Sequence, residues 1–184
     1  EIENRSVEVS VTSRNISTKD FQWRTNANFS IVNNKIVSLY GMFDENGKEV
    51  DDINNKWFIG QPIRVNYDYV WAGVWQLDEA EEAAKYGSQP GYVKITDINN
   101  DGVVNATSDR QIQGQIDPKF LWGMNNTFTY KNWGLSVFIH GVHGITKTDP
   151  LMTDGNMIEV RYNVTRKNWW TPENPTNEWY KNDY

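Results

Sequence analysis

Large apolar side chains alternate with small or polar ones from Phe120 to Gly144. The apolar parity of the first half consists of Phe120, Trp122, Met124, Phe128 and Tyr130, with Asn126 as its polar exception. After a break at Lys131–Gly134, the alternation resumes with Leu135, Val137 and Ile139. Because successive side chains of a strand point to opposite faces, this pattern predicts a β-hairpin with one apolar and one polar face.

Two earlier segments show the same alternation. In the first, polar residues separate Val7, Val9 and Val11. In the second, the apolar parity consists of Phe21, Trp23, Ala27, Phe29 and Ile31, with only Thr25 polar among them. The residues between them are all polar and include Gln22, Arg24, Asn26 and Asn28. The pattern predicts strands over 2–12 and 21–32, a turn over 13–20 and a break at 33–35.

The remaining segments are less regular. A short strand is predicted over 36–40, then a polar loop over 41–56 with a turn at Asn46-Gly47, then an aromatic, extended stretch over 59–75. Residues 76–87 are predicted to form a short helix that Asp78 caps and Gly87 ends. Residues 150–170 fit a strand or a helix equally well.

Strands with one apolar face are typical of a β-sandwich and of a transmembrane β-barrel. Four aromatic residues near predicted strand ends favour the barrel, because amphipathic rings form girdles at membrane interfaces. These residues are Trp23, Trp122, Tyr130 and Trp133. The alternative is a Trp-rich soluble core or a sugar-binding surface.

Composition narrows the function classes. The chain has 184 residues, nine Trp and nine Tyr, enough for one large β domain. A net charge of −6 without a basic patch argues against nucleic-acid binding. No apolar run approaches the length of a membrane helix. This length criterion does not apply to the strands of a β-barrel, because each strand is short and only half apolar. The absence of Cys excludes disulfides and thiolate chemistry in this chain.

A metal-binding motif lies in the second half of the chain. Residues 97–102 read D-I-N-N-D-G, the start of an EF-hand loop, in which the glycine bends the turn and oxygen ligands share one side. The match fails at its end, because the twelfth position is Ser108 and the carboxylate of Asp109 follows one residue late. The predicted ligands are Asp97, Asn99, Asp101, the carbonyl of Val103, Asn105 and Asp109. Calcium is the expected structural ion, magnesium is the alternative ion, and an ordinary Asn/Asp/Gly turn is the other interpretation.

Catalytic groups do not form a recognisable set. His140 and His143 are three residues apart on a predicted strand and therefore point to opposite faces. The acidic residues 79, 81 and 82 fit the solvated face of the short helix. No nucleophile or metalloprotease motif occurs, so we expect no enzymatic activity and no catalytic residues.

Neither end of the sequence looks like a natural terminus. Residues 1–4 lead almost directly into a strand pattern, and the stretch after Trp170 is rich in turn residues. We therefore expect a piece of a longer polypeptide.

Short motifs along nearly the whole chain occur in an order typical of one family. They are Asn4-Arg5-Ser6-Val7-Glu8-Val9, Asp20-Phe21-Gln22-Trp23, Gly60-Gln61-Pro62-Ile63, Tyr67-Asp68-Tyr69, Ala72-Gly73-Val74-Trp75-Gln76, Pro90-Gly91-Tyr92, the 97–102 motif, Asp109-Arg110, Gly114, Pro118, Phe120, Trp122-Gly123, Tyr130-Lys131 and Asn168-Trp169-Trp170-Thr171-Pro172. Each is weakly specific alone, and their joint order carries the resemblance. The chain resembles the SusC/RagA-like TonB-dependent outer-membrane transporters.

The resemblance implies an all-β fold, a segment of a large antiparallel transmembrane β-barrel of about 22 strands with long extracellular loops carrying short helices. It assigns residues 1–184 to the C-terminal half of the barrel domain, without the plug domain, the TonB box or the closing strands. Residues 33–118 would form one long extracellular excursion containing the calcium-type loop 97–109. The short turns at 13–20 and 131–134 would lie on the periplasmic side.

The resemblance also implies a function. Such proteins import oligosaccharides or peptides across the outer membrane of Gram-negative bacteria, driven through the TonB complex, and a SusD-like surface lipoprotein closes over the barrel. Contact with TonB would come from parts of the parent chain outside this sequence. The residues expected to face the lumen are Gln22, Arg24, Asn26 and Asn28, with membrane lipid against the opposite face. The candidates for contact with substrate or lid are Tyr67, Tyr69, Trp71 and Trp75, with packing inside the loop as the alternative.

A soluble, calcium-stabilised β domain that binds glycans through exposed Trp and Tyr is the alternative function. The two hypotheses differ in what the apolar strand faces meet, which is lipid in one and a second sheet in the other. Glycan and peptide importers share the motifs above, so the substrate class stays open.

Overall fold

The computed structural model describes residues 1–147 and 166–181, so most of the segment predicted as strand or helix, 150–170, lies outside the described residues. Eight strands and one α-helix occur in the described ranges: β1 Ile2–Ser17, β2 Phe21–Ile36, β3 Val65–Tyr69, β4 Trp71–Val74, α1 Ala80–Lys85, β5 Val93–Ile95, β6 Arg110–Gln115, β7 Phe120–Tyr130 and β8 Trp133–His143. No helix in these ranges is long and apolar enough to cross a membrane.

The chain divides into two compact units. The sheet unit comprises Glu1–Asn66 and Gly114–Thr146, and the loop unit comprises Tyr67–Gln113 and Lys147–Tyr184. The sheet unit is built on a four-stranded sheet in the order β1-β2-β7-β8, with every neighbouring pair antiparallel. Elsewhere β3 pairs with β6, and β4 pairs with β5.

The first two strands are longer than the alternation predicts. β1 continues to Ser17, which leaves residues 18–20 as the turn, and β2 continues through the predicted break at 33–35. That predicted break is wrong because β1 supplies partners there, pairing Glu3 with Lys35 and Asn4 with Asn34. The short strand predicted over 36–40 is also wrong, because Ile36 is the last residue of β2.

The predicted hairpin of β7 and β8 is confirmed. Tyr130 pairs directly with Trp133, so only Lys131 and Asn132 form the turn. Lys131 adopts a positive φ of 51°, as a tight hairpin turn of this length requires. The predicted turn at Asn46-Gly47 is confirmed as well, since the amide of Gly47 donates to the carbonyl of Asp44 at 3.0 Å.

Strand register places the apolar parities of the four strands on one face. Phe29 lies between Val9 and Trp122, and Ala27 lies between Val11 and Met124. β8 continues these rows, with Ile139 beside Met124 and Leu135 beside Phe128. The polar parities therefore share the opposite face, together with the apolar side chains of Leu121, Phe138 and Val142.

The polar exceptions of the apolar face lie side by side. Thr25 pairs with Ser13 on β1 and with Asn126 on β7. The Oδ1 of Asn126 accepts hydrogen bonds from the Thr25 hydroxyl at 2.7 Å and from the Trp23 Nε1–H at 3.0 Å. Asn15, at a bulge in β1, donates to the Thr25 hydroxyl at 2.6 Å. The polar groups thus satisfy one another within an apolar surface.

The loop unit contains the predicted short helix. A 3-10 turn at Leu77–Glu79 precedes α1, and Gly87 follows it with φ of 65°. Capping by Asp78 is wrong, because Gln76 is the N-cap of the 3-10 turn and Glu79 is the N-cap of α1. The backbone amide of Gln76 donates to the Glu79 carboxylate at 3.0 Å. Glu79 also accepts a hydrogen bond from Lys94, which keeps the pKa of Glu79 below its ordinary value.

Candidate functional site

The apolar face of the sheet is uncovered. Val7 is 58% exposed, Val11 55% and Leu135 60%. A soluble sandwich would bury these side chains under a second sheet. An exposed, contiguous apolar surface of this kind marks contact with a membrane or another protein.

The dimensions of this face match a bilayer. Its apolar rows run along the whole of β7, which has 11 residues. At about 3.3 Å per residue that is roughly 33 Å along the strand, and a tilt of about 45° reduces it to roughly 23 Å of height. The lipid-facing band of outer-membrane barrels is about 25 Å tall.

Aromatic side chains occupy the end of this band next to the β7–β8 turn. Trp133 is 80% exposed and Tyr130 is 53% exposed, and the two face each other across the hairpin. The ring of Trp23 stacks on that of Phe128 with centroids 5.6 Å apart. The amphipathic rings therefore form a belt of the kind found at membrane interfaces.

The residues predicted to face the lumen share the polar face of β2. This face carries Gln22, Arg24, Asn26 and Asn28, all exposed. The side chain of Asn28 lies over Gly123 on β7, where an added Cβ would come within 2.6 Å of the Asn28 Oδ1. Because a glycine leaves room there, the polar face accommodates amide side chains close to the backbone. Their place in the lumen stays a prediction.

The calcium-type loop 97–109 is folded back on itself by its own carboxylates. The Asp97 Oδ2 accepts a hydrogen bond from the Gly102 amide at 2.8 Å, and Gly102 has φ of 85°. The Asn99 Oδ1 accepts from the Asp101 amide at 3.2 Å, and the Asp101 Oδ1 accepts from the Val103 amide at 2.8 Å. The first, third and fifth positions of the motif are therefore held in the tight turn that an EF-hand loop requires.

One oxygen of this loop is buried without a hydrogen-bond partner. It is the Oδ1 of Asp97, at the first ligand position. A buried carboxylate oxygen without a partner is costly, and a bound cation would satisfy it. Across residues 1–147 and 166–181, no three His, Asp or Glu side chains converge as a metal site by themselves. A cation there would therefore depend on amide, carbonyl or water oxygens in addition, as calcium accepts.

Asp109 is fully buried and closes the loop. Its carboxylate accepts hydrogen bonds from the amides of Asn105 at 2.7 Å and Ile98 at 2.9 Å, and from the Ser108 hydroxyl at 3.0 Å. The Asn105 amide contributes most to lowering the pKa of Asp109 below its ordinary value, and it outweighs burial. The carboxylate thus joins the two ends of the loop, and its place among the metal ligands stays a prediction.

The four aromatic candidates for substrate or lid contact differ in exposure. Tyr67 is 7% exposed and Trp75 is 4% exposed, so both are packed in the interior. The ring of Trp75 stacks on that of Tyr86 with centroids 5.9 Å apart, and the Lys94 Nζ lies 4.3 Å from the Trp75 ring centroid. Packing inside the loop, the alternative left open by the sequence, fits these two residues.

The other two candidates are accessible. Tyr69 is half-buried, and the Arg110 guanidinium lies 4.8 Å from its ring centroid. Trp71 is 48% exposed. A flat aromatic ring presented to solvent suits stacking on a sugar or a peptide. Contact with substrate or lid stays a prediction for these two side chains.

Sequence reasoning missed the residues that organise the loop unit. The Trp170 Nε1–H donates to the Gln76 Oε1 at 2.9 Å, and the Asn177 Oδ1 accepts from the Val74 amide at 2.9 Å. The Trp170 ring lies over Gly91, where an added Cβ would come within 2.6 Å of it. Gly91 has φ of 88°. Pro90-Gly91-Tyr92 and Asn168-Trp169-Trp170-Thr171-Pro172 both stand out as motifs in the sequence, but neither motif reveals that the other is its partner.

Comparison with known proteins places this geometry in context. No family model matches the chain. The chain is 29% identical over 185 residues, 96% of its length, to TonB-dependent receptor P26 of Formosa agariphila. It is also 29% identical over 185 residues, 95% of its length, to TonB-dependent receptor P3 of the same organism. The resemblance to SusC/RagA-like TonB-dependent transporters is confirmed.

The fold agrees with solved structures of such a transporter. Over 100% of the chain and 20% of the compared chain, it matches a structure of the RagAB peptide transporter with a TM-score of 0.64 and 20% identity. RagAB in its open-open state gives a TM-score of 0.62 at 17% identity, covering 100% of this chain and 19% of that one. The predicted all-β segment of mainly antiparallel strands is confirmed.

The chain spans 18% of the length of each of these curated relatives. These relatives are named as receptors and the compared structures as transporters, not as enzymes. This agrees with the expectation from the sequence that the chain is not an enzyme.

Proposed function

We propose that this chain is part of the β-barrel of a TonB-dependent nutrient importer in the outer membrane of a Gram-negative bacterium. The uncovered apolar face of the sheet is the observation that supports it most directly. Its estimated height agrees with a bilayer, and its aromatic belt lies at one edge, whereas the opposite face of β2 carries the polar residues Gln22, Arg24, Asn26 and Asn28. A glycan-binding soluble domain would leave this face unexplained.

In this proposal the apolar face contacts lipid and the polar face lines the barrel interior. The short turns at 18–20 and 131–132 lie on the periplasmic side, since barrels have short turns there and long loops outside the cell. The connection between β2 and β7, residues 37–119, then lies outside the cell with the loop 97–109. The plug and the remaining strands belong to the rest of the parent protein, as does its contact with TonB.

The compared structures support candidates for the substrate and the partner. RagAB is named a peptide transporter, so an imported peptide is one candidate, and an oligosaccharide is the other. A SusD-like lipoprotein on the cell surface would close over the barrel. Tyr69 and Trp71 would present rings to the substrate or to this lid.

Purification of the tagged parent receptor from outer membranes tests this function. We expect it to co-purify with a surface lipoprotein, and we expect deletion of its gene to abolish uptake of either labelled peptides or labelled oligosaccharides. Re-expression with a disrupted TonB contact should fail to restore uptake, whereas the intact receptor should restore it. Recovery of the chain in the soluble fraction, with uptake of both substrates unchanged, would contradict the proposal.

We also propose that the loop 97–109 holds a structural calcium ion. The orphaned Oδ1 of Asp97 supports this, as do the oxygen-rich side chains of Asn99, Asp101 and Asn105 and the carbonyl of Val103. Magnesium fits less well, because it demands near-ideal octahedral geometry. An ion would fix a long exposed loop that faces the partner and the substrate.

Replacement of Asp97 by Asn is expected to weaken calcium binding to the receptor by at least about tenfold, because it removes a charged ligand. The matched control is Asp44→Asn, since Asp44 also accepts amide hydrogen bonds within a tight turn, from Asn46 and Lys48 at 2.9 Å each. Calorimetry gives the affinity, and proteolysis within 97–109 with and without chelator gives the order of the loop. Equal cleavage rates in calcium and in chelator would exclude a structural ion.

A further inference from the structure

A charged cluster lies beyond the apolar band, at the end of the sheet opposite the aromatic belt. The pairing of β1 and β2 continues past Val7 and Ile31 with Arg5 opposite Asn33 and then Glu3 opposite Lys35. These residues share the parity of the apolar positions, so their side chains leave the same face of the sheet. The apolar band is therefore bordered by charged residues at one end of the strands, here called the charged edge, and by aromatic residues at the other end, the aromatic edge.

The cluster carries two cations and one anion. The Lys35 Nζ lies 2.9 Å from a carboxylate oxygen of Glu3, and Arg5 donates to the same carboxylate. The Arg5 side chain is 80% exposed and that of Lys35 is 51% exposed, whereas that of Glu3 is 27% exposed. The cations are thus the accessible members, and the cluster has a net charge of about +1.

A cleft of about 130 Å³ opens at this cluster. It is lined by Glu3, Arg5, Asn33, Asn34 and Lys35. Guanidinium, ammonium and amide groups are donors that suit phosphate oxygens, and Arg in particular pairs with phosphate through two parallel hydrogen bonds. The exposed ion pairs to Glu3 are individually weak, so a stronger anion can draw the cations away from it.

We propose that this cluster binds the phosphate of an anionic lipid headgroup whose acyl chains lie on the apolar face below it. The inference rests on the proposed membrane location of the sheet. Two features argue for a lipid as the occupant, namely the charge complementarity and the direct continuity of the cluster with the apolar surface at Val7 and Ile31. A free anion would use only the charges and leave the adjoining apolar rows without a role.

The opposite edge provides the internal comparison. There Lys131 lies on the ring of Tyr130, with its Nζ 5.4 Å from the centroid, beside the exposed ring of Trp133. This edge presents two aromatic rings and one cation. The two edges therefore differ in the headgroup chemistry they favour, and the charged edge is the one selective for phosphate.

Lipid binding to the full receptor in detergent tests the inference by native mass spectrometry. The probes are dioleoyl phosphatidic acid and dioleoyl phosphatidylcholine, which carry the same acyl chains but differ in headgroup charge. We expect the intact receptor to bind the phosphatidic acid more tightly. Loss of about fivefold in that affinity is expected for each cation removed, and about 25-fold for Arg5→Gln with Lys35→Gln, with phosphatidylcholine binding unchanged.

Two further variants separate a lipid site from a structural ion cluster. Glu3→Gln removes the competing carboxylate and should tighten binding of phosphatidic acid, which a purely structural role would not do. Lys131→Gln removes a cation at the opposite edge and should leave that binding unchanged. The inference is overturned if the double variant binds phosphatidic acid as the intact receptor does, or if inorganic phosphate alone binds with the same affinity.

Failure of this inference differs from failure of the proposed function. If the sheet does not contact lipid at all, neither phospholipid is retained by the intact receptor. If only the headgroup site is wrong, both phospholipids are retained equally and the receptor still inserts into membranes.

Discussion

The substitution Met124→Arg is expected to prevent insertion of the sheet into the membrane, whereas Asn125→Arg is expected to be tolerated. Met124 lies near the middle of the apolar band, in the row formed with Val11, Ala27 and Ile139. A charged side chain on the lipid face near the bilayer midplane costs about 2–4 kcal/mol. Asn125 is adjacent in sequence but belongs to the polar face, where a charge stays in contact with water.

The pair of variants is matched in chemistry and in strand position, so only the face of the sheet differs. Both are made in the full receptor and measured by the fraction recovered as heat-modifiable, folded protein in outer membranes. The free energy of unfolding in urea from lipid vesicles gives the size of the effect. Equal recovery of the two variants would mean that the face of Met124 does not contact lipid, and a soluble sheet would then explain the alternation better.

Side-chain period explains why the faces of this sheet are predictable from sequence. Phe29, Ala27 and Met124 each follow the alternation of their own strand, and that alternation fixes the face as soon as the strand exists. Hairpin partners such as Tyr130 and Trp133 also follow from sequence, because a tight turn sets their register. The face of each side chain and the register of the β7–β8 hairpin are therefore encoded locally.

The extent of the strands is not encoded locally. Asn33, Asn34 and Lys35 have low strand preference, and the sequence predicts a break there. They remain in β2 because β1 pairs with them and because the Asn34 Oδ1 accepts from the Ile63 amide at 2.9 Å. Pairing with a neighbouring strand thus overrides propensity, and only the structure reveals that the charged cluster at Glu3 exists.

The hydrogen-bonded polar groups on the apolar face show the same limit. In sequence, Thr25 and Asn126 are two isolated exceptions to two separate alternations. The strand register brings them into one row, where the Asn126 Oδ1 accepts a hydrogen bond from the Thr25 hydroxyl. A bulge in β1 lies at Asn15, whose side chain donates to the same hydroxyl. Their compatibility with an apolar surface depends on each other and is invisible in any single strand.

The candidate site in the loop unit was predictable only in part. The turn-forming residues of the calcium-type loop are visible as a motif, since each acts on amides a few residues away. The burial of Trp75 is not visible in the sequence, because its neighbours Tyr86 and Lys94 come from segments further along the chain. Exposure of an aromatic ring, which decides whether it meets a substrate, is a property of tertiary packing.

Replacement of Trp170 by Ala is expected to open the interior of the loop unit. Trp170 is 3% exposed and its Nε1–H donates to the Gln76 side chain at 2.9 Å, so the change leaves a cavity and an unpaired acceptor. Truncation of a buried Trp costs about 3–5 kcal/mol of stability. Trp71→Ala is the matched control in the same unit, because Trp71 is 48% exposed and its truncation leaves no cavity.

Hydrogen exchange of backbone amides in the full receptor measures this effect where it arises. The amide of Gly91 donates to the Trp75 carbonyl at 2.7 Å, and the amide of Trp75 donates to the Tyr92 carbonyl at 3.0 Å. If these hydrogen bonds open by local unfolding, a loss of about 3 kcal/mol in the stability of the loop unit accelerates the exchange of the two amides by roughly 100-fold. The Trp71 variant should exchange at the original rate. Unchanged protection of Gly91 in the Trp170 variant would mean that the loop unit is held together by contacts other than this ring, and the accessible Tyr69 and Trp71 would then be positioned independently of it.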